Sequence, residues 1–305
     1  MSEVFEGNAC CETKTPPIEE LQVVLHDETA PPAKRTRAVF LLRSMGTHEA
    51  MDALATALKS PSVLLGHEIA YVLGQMKDPY AVPVLRQVLD SDEYHLIVRH
   101  EAAEALGALG LEENLDILEK YANDSNPELA HTCQIARDRI RFVKENPDWA
   151  ERYPSLFDCI DPAPPSDDTD IAVLKAKLND QSLSLFERYR AMFKLRDINT
   201  KEAVLALASG FADPSPVFRH EVAYVFGQIA NKASVPSLIA QLRKTDEHSM
   251  VRHEAAEALG AVGGDDVAAV LKEFQSDPDR IVKESCDVAL DIYDYWHLGI
   301  ESSCC

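Results

Sequence analysis

The chain has 305 residues, 46% of them hydrophobic, with 30 Lys+Arg against 51 Asp+Glu and a formal net charge of −21. That length and apolar content support a packed core. The acidic balance excludes the basic stripe of a nucleic-acid binder and leaves a cationic partner, or simple solubility, as its use.

Residues 1–17 read as an N-terminal extension with neither a basic nor an apolar signal region, and no later apolar run approaches the roughly 18 residues of a membrane span. From residue 18 to 145, apolar residues recur at helical spacing in paired segments. Ala81, Val84, Leu85 and Val88 form one stripe, and Ile97, Ala102, Ala105, Leu106 and Leu109 form the next. Ser60-Pro61, Asp78-Pro79 and the Asp124–Pro127 turn punctuate them, so second helices are expected to start near residues 33, 64, 97 and 127. Residues 146–170 are rich in Pro and Asp without helical periodicity and read as a linker, long enough to let the second half of the chain turn back on the first. Residues 171–298 repeat the pattern, with second helices expected near 185, 216, 249 and 279; residues 299–305 are a tail ending in Cys304-Cys305. The seven cysteines show no CxxC and no zinc spacing, which suits reduced thiols and a cytoplasmic address.

Self-comparison explains the pairing. HEIAYVLGQM at 67–76 returns as HEVAYVFGQI at 220–229, VRHEAAEALGAL at 98–109 as VRHEAAEALGAV at 251–262, and RTRAVFLLR at 35–43 as RYRAMFKLR at 188–196, always 153 residues on. Within each copy His67 and His100, like His220 and His253, stand 33 residues apart, the length of one helical hairpin. The expected fold is all-α: a HEAT-type α-solenoid of two pseudo-symmetric halves with about four hairpins each.

Four His-Glu pairs, His67-Glu68, His100-Glu101, His220-Glu221 and His253-Glu254, sit at matched positions near the starts of second helices. Packing positions here are filled by Ala, Leu, Val and Gly, so a packing role does not explain His beside Glu. Stacked hairpins place such positions roughly 10 Å apart. Imidazole with carboxylate suits a divalent metal of intermediate hardness, and two His with one carboxylate and open positions is the donor set of non-haem iron. If the halves face each other, two such sets meet. Helical spacing alone pairs His100 with Glu104 and His253 with Glu257, whereas near a helix start both members of an adjacent pair also reach a groove metal, so the carboxylate stays open. Tyr71 and Tyr224, four residues after His67 and His220, either line that cavity or pack in the core. His95 and His248 fall in loops. His26, His48, His131 and His297 have no counterpart and are expected on the surface, and Arg99, Arg219 and Arg252 are expected as supporting or surface partners.

At GHEIAYVLGQM, VRHEAAEALGA, RHEVAYVFGQI and the second VRHEAAEALGA, the sequence resembles the deoxyhypusine hydroxylases, HEAT-repeat di-iron monooxygenases, and the resemblance runs over nearly all of residues 20–300. It implies hydroxylation of deoxyhypusine, a lysine extended by an aminobutyl group, on a eukaryotic translation factor, consuming O₂ and an external reductant. It further implies two Fe(II) per chain, one held by His67, His100 and Glu101 and the other by His220, His253 and Glu254. Glu68 and Glu221 then either ligate iron or hold the substrate's amines, and charge-assisted hydrogen bonding to a polyamine favours the second role. A monomer is expected, and a non-catalytic protein-binding scaffold is the alternative.

Overall fold

The computed structural model describes residues 15–154, 156–157 and 159–298; the tail 299–305 and all but the last three residues of the N-terminal extension lie outside them, as does the side chain of His297. The N-terminal half is four hairpins: α1 (Ile18–His26) with α2 (Pro32–Met45), α3 (His48–Thr56) with α4 (Val63–Gln75), α5 (Val82–Asp90) with α6 (Leu96–Leu109), and α7 (Leu115–Tyr121) with α8 (Pro127–Glu145). A short α9 (Trp149–Arg152) lies within the linker. The second half repeats the plan with α10 (Ile171–Asn179) and α11 (Leu185–Ile198), α12 (Lys201–Ala208) and α13 (Pro216–Ile229), α14 (Val235–Arg243) and α15 (Ser249–Val262), and α16 (Val267–Phe274) and α17 (Arg280–Tyr293). Each second helix starts within one residue of its expected position, and no strand occurs among the described residues. No helix there is long and apolar enough to cross a membrane.

Local chemistry sets these boundaries. Pro32, Pro127 and Pro216 open helices at a first turn where the missing N–H costs nothing. Side-chain oxygens of Ser62, Asn126, Ser184, Ser215 and Asp279 accept from the free N–H groups of the first turn. His95 and His248 do the same with a ring nitrogen: each Nδ1 accepts from the amide two residues on, at 3.2 Å, which assigns both to capping.

An arginine, buried in three of the four cases and half-buried at Arg99, recurs in the hairpins. Nε of Arg35, Arg99, Arg188 and Arg252 donates to the carbonyl ten residues earlier, of Leu25, Leu89, Leu178 and Leu242, tying the end of one helix to the next. Removing such a donor strands a carbonyl at a cost of about 1–3 kcal/mol. Arg99 and Arg252 are therefore hairpin clamps, while Arg219 pairs with Glu247 at 2.5 Å.

The second helices form the inner layer of a closed ring. In order α2, α4, α6, α8, α11, α13, α15 and α17 pack each on the next, and α17 returns to pack on α2. Close approach is built in by glycine: a Cβ on Gly74 would lie 2.7 Å from the Ala105 Cα, and one on Gly107 2.8 Å from that of Ala136. Across the seams, the Ser62 hydroxyl donates to Glu284 at 2.5 Å, and His131, at the duplicate of position 284, meets Ser215, the duplicate of Ser62, at 2.9 Å. The expectation of a surface His131 is corrected: it is half-buried at the joint between halves.

The linker is a strap, not a slack spacer. Gln75 exchanges hydrogen bonds with the backbone of Ile160 at 2.8 and 3.3 Å, the duplicate Gln228 donates to Cys159 at 3.0 Å, and Arg196 grips Asp161 bidentately at 2.7 and 2.8 Å.

Candidate metal centre

Because the duplicated helices face one another inside the ring, their matched residues converge on one cavity of about 200 Å³. It is lined by His67, Glu68, Tyr71, Glu101 and Glu104 from the first half and His220, Glu221, Tyr224, Glu254 and Glu257 from the second, with Phe40 at its edge. The four imidazoles cluster: His67 lies 5.9 Å from His220 and 5.0 Å from His253 between ring centres, and His220 lies 5.5 Å from His100 and 5.4 Å from His253. All four are buried, with His100 and His253 fully so.

Two donor groups lie close enough to share an ion. Ligand atoms of His67, His100 and Glu101 fall within 4.8 Å of one another, and so do those of His67, His220 and His253. Glu101 Oε2 is 3.1 Å from His67 Nε2 and 3.8 Å from His100 Nε2. In the second half Glu254 Oε2 is 3.3 Å from His220 Nε2 but does not join a three-residue group with His253.

Neighbouring groups decide which nitrogen faces the cavity. Thr132 donates its only hydroxyl proton to the Glu128 carbonyl at 2.9 Å, so the 2.5 Å contact between His100 Nδ1 and Thr132 Oγ1 has the ring as donor. His100 Nε2 is then the bare lone pair, the state a metal ligand needs. Ser285, the duplicate of Thr132, donates to Glu257 at 2.8 Å, and that carboxylate lies 3.6 Å from His253 Nδ1. Glu68 lies 3.3 Å from His67 Nδ1. Sequence reasoning does not single out Thr132 or Ser285, although a hydroxyl 32 residues after each of His100 and His253 is a findable signal.

The electrostatics are those of a pocket short of positive charge. Burial alone depresses His67, but Glu101 and Glu68 outweigh it and hold the imidazole well above its ordinary range. Glu101 is in turn held down: burial, which raises it, is outweighed by His67 and His100. Burial lowers His100 to about 4 and His253 to about 3. Glu104, Glu221 and Glu254 are pushed well up by burial and by neighbouring carboxylates. Nε2 of all four clustered histidines, Nδ1 of His220 and His253, and Oε1 of Glu221 are buried without a hydrogen bond, although Nε2 of His67 and of His220 each lies beside a carboxylate, Glu101 and Glu254 respectively. Orphaned buried donors and acceptors are costly, and bound cations resolve both the charge and the pairing. The residues fit a transition metal of the imidazole–carboxylate type.

Tyr71 and Tyr224 hydrogen-bond to each other at 3.0 Å across the line between the halves and line the cavity as well.

Fold and centre together define a closed ring of helical repeats around a buried imidazole and carboxylate cluster suited to metal. A HEAT-repeat family profile matches residues 18–97, 67–136 and 202–291. Deoxyhypusine hydroxylase of Candida albicans is 50% identical over 299 residues, covering 92% of this chain and 93% of that protein, and that of Homo sapiens is 45% identical over 278 residues, covering 91% of each. The solved structure of human deoxyhypusine hydroxylase in complex with glycerol aligns with a TM-score of 0.88 at 45% identity, over 91% of this chain and 96% of that one. This chain belongs to the deoxyhypusine hydroxylase family.

Proposed function

We propose that this chain hydroxylates the deoxyhypusine side chain of a translation factor, using O₂ and an external reductant at a centre of two irons, in the cytoplasm and as a monomer. The observation that carries the reading is the set of four buried imidazoles whose Nε2 atoms make no hydrogen bond, surrounded by six glutamates, in a member of this family. His67, His100 and Glu101 are assigned to one iron and His220, His253 and Glu254 to the other. Iron bound there supplies the activation of O₂ that oxidation of an unactivated C–H bond requires.

The protein's own groups do the rest. Thr132 fixes the tautomer of His100, and Ser285 steadies the carboxylate behind His253. Glu68 and Glu221 stand beside the ligand sets and hold the substrate's ammonium groups; Glu104 and Glu257 extend the same acidic wall. A long, flexible polyamine needs such fixed anions to present one carbon to the centre. Burial of the cluster keeps bulk water away and strengthens each of these interactions.

Mass spectrometry of the deoxyhypusine-bearing protein after incubation with the iron-loaded chain tests the proposal. A gain of one oxygen on the modified lysine, with about two irons per chain by metal analysis, is expected. Metal-free protein that binds the translation factor without modifying it would restore the scaffold reading.

A further inference from the structure

A duplicated chain with a central cavity has two equivalent sides, yet the single linker packs against only one of them. In the second half, Phe193 is fully buried, and the Arg196 guanidinium lies 4.8 Å over its ring and 4.5 Å over Phe157 of the linker. Arg196 is held by both oxygens of Asp161, and Arg139 donates to the Asp161 carbonyl at 2.9 Å. Pro162 borders a small cavity together with Glu104 and Gly107, and Ala163 is fully buried. The linker thus covers Phe193 and holds Arg196 through Asp161, while Arg196 also borders a groove of about 430 Å³ lined mainly by linker residues.

The duplicate positions are Phe40, Arg43 and Glu257, and there no linker residue fills the space. Phe40 is half-buried and borders the cavity, whose lining contains no linker residue. Glu257 and Glu104 are alike half-buried on the cavity wall, so the two sides differ at Phe40 and Arg43. Arg43 is half-buried and, among the described residues, has no ion pair, whereas its duplicate Arg196 is bidentate to a carboxylate.

Resting on the hydroxylase reading, we propose that the substrate protein docks at Phe40, Arg43 and Glu257, where its backbone segment takes the place that the linker takes in the other half. The segment presents a carboxylate to Arg43, as Asp161 does to Arg196, and its modified lysine passes between Phe40 and Glu257 toward the imidazole cluster. Glu257 and Glu68 are met first, and Glu221 and Glu104 form the far wall. Arg43 and Phe40 are positioning residues: they lie outside the donor set and act on where the substrate sits.

The experiment uses the full chain and the deoxyhypusine-bearing translation factor. Arg43→Gln is expected to raise KM for that protein roughly tenfold or more, the loss of one charge-assisted hydrogen bond, with kcat, iron content and Tm nearly unchanged. An unchanged KM overturns the docking site. Independently, photo-reactive p-benzoylphenylalanine in place of Phe40 is expected to capture the translation factor on irradiation, and the same group in place of Pro162 is not. Capture from position 162 and not from position 40 overturns the assignment of the sides. Capture is scored whether or not oxygen is transferred, so failure of this inference is distinguishable from failure of the hydroxylase reading.

Discussion

Gly74→Ala and Gly227→Ala make the same chemical change at the same place in the two copies, yet they are expected to differ in their effect on stability. An added Cβ at Gly74 would stand 2.7 Å from both Cα and Cβ of Ala105, whereas at Gly227 it would stand 3.3 and 3.5 Å from the same atoms of Ala258. Carbon atoms rest at about 3.5–4.0 Å, so α6 must retreat by about 1 Å in the first case and α15 by only a few tenths in the second. Overpacking of the first kind costs about 1–3 kcal/mol, against which replacing a helical glycine returns about 0.5–1 kcal/mol. Gly74→Ala is therefore expected to lose up to about 2.5 kcal/mol and Gly227→Ala to lie near zero or to gain slightly. Urea unfolding of both variants beside the parent reads the difference directly. Because α6 carries His100 and Glu101, the same retreat pulls them from His67, and iron content should fall in Gly74→Ala alone. Equal stability loss in the two variants, or a larger loss in Gly227→Ala, would refute the packing argument.

Thr132→Val leaves His100 Nδ1 buried without an acceptor and frees its tautomer; iron affinity should fall about 10–100-fold in a chelator competition, and Thr132→Ser should restore most of it. Glu68→Ala is expected to keep more iron than Glu101→Ala while raising KM for the protein substrate, since Glu68 touches the His67 nitrogen remote from Glu101; equal iron loss in both would make Glu68 a ligand. Stripping iron from the saturated protein with a chelator should lower Tm by several degrees, as mass action on the folded state requires; an unchanged Tm would mean that the cluster holds no resident ion.

Much of this architecture is legible in the sequence because the physics that sets it is local or repeated. Helix starts follow from Pro, Ser, Asn and Asp at hairpin boundaries, and the 153-residue offset by itself pairs His67 with His220 and His100 with His253. Adjacent residues such as His100 and Glu101 point about 100° apart on a helix, so spacing leaves the choice between Glu101 and Glu104 open. In the structure Glu101 joins His67 and His100, while Glu104 lines the wall nearest the linker. Capping by His95 and His248 is not expected from the sequence, because imidazole is an unusual cap; their place directly before each second helix is the available sign.

Ring closure and the strap are not legible, and the reason is the same for both. Whether α17 meets α2 depends on the small rotation added at each stacked pair, which is set by contacts such as Gly260 against Ala289 and not by any pattern within a helix. The grip of Arg196 on Asp161 joins residues 35 apart through a stretch without periodicity. Yet the strap gives the molecule its direction. Duplication alone yields two equal half-sites with equal surroundings; a single linker lies on only one side of the line between them. By covering Phe193 and leaving Phe40 on the cavity, it makes the surroundings of a symmetric donor cluster unequal, and that inequality is the basis of the proposed docking site.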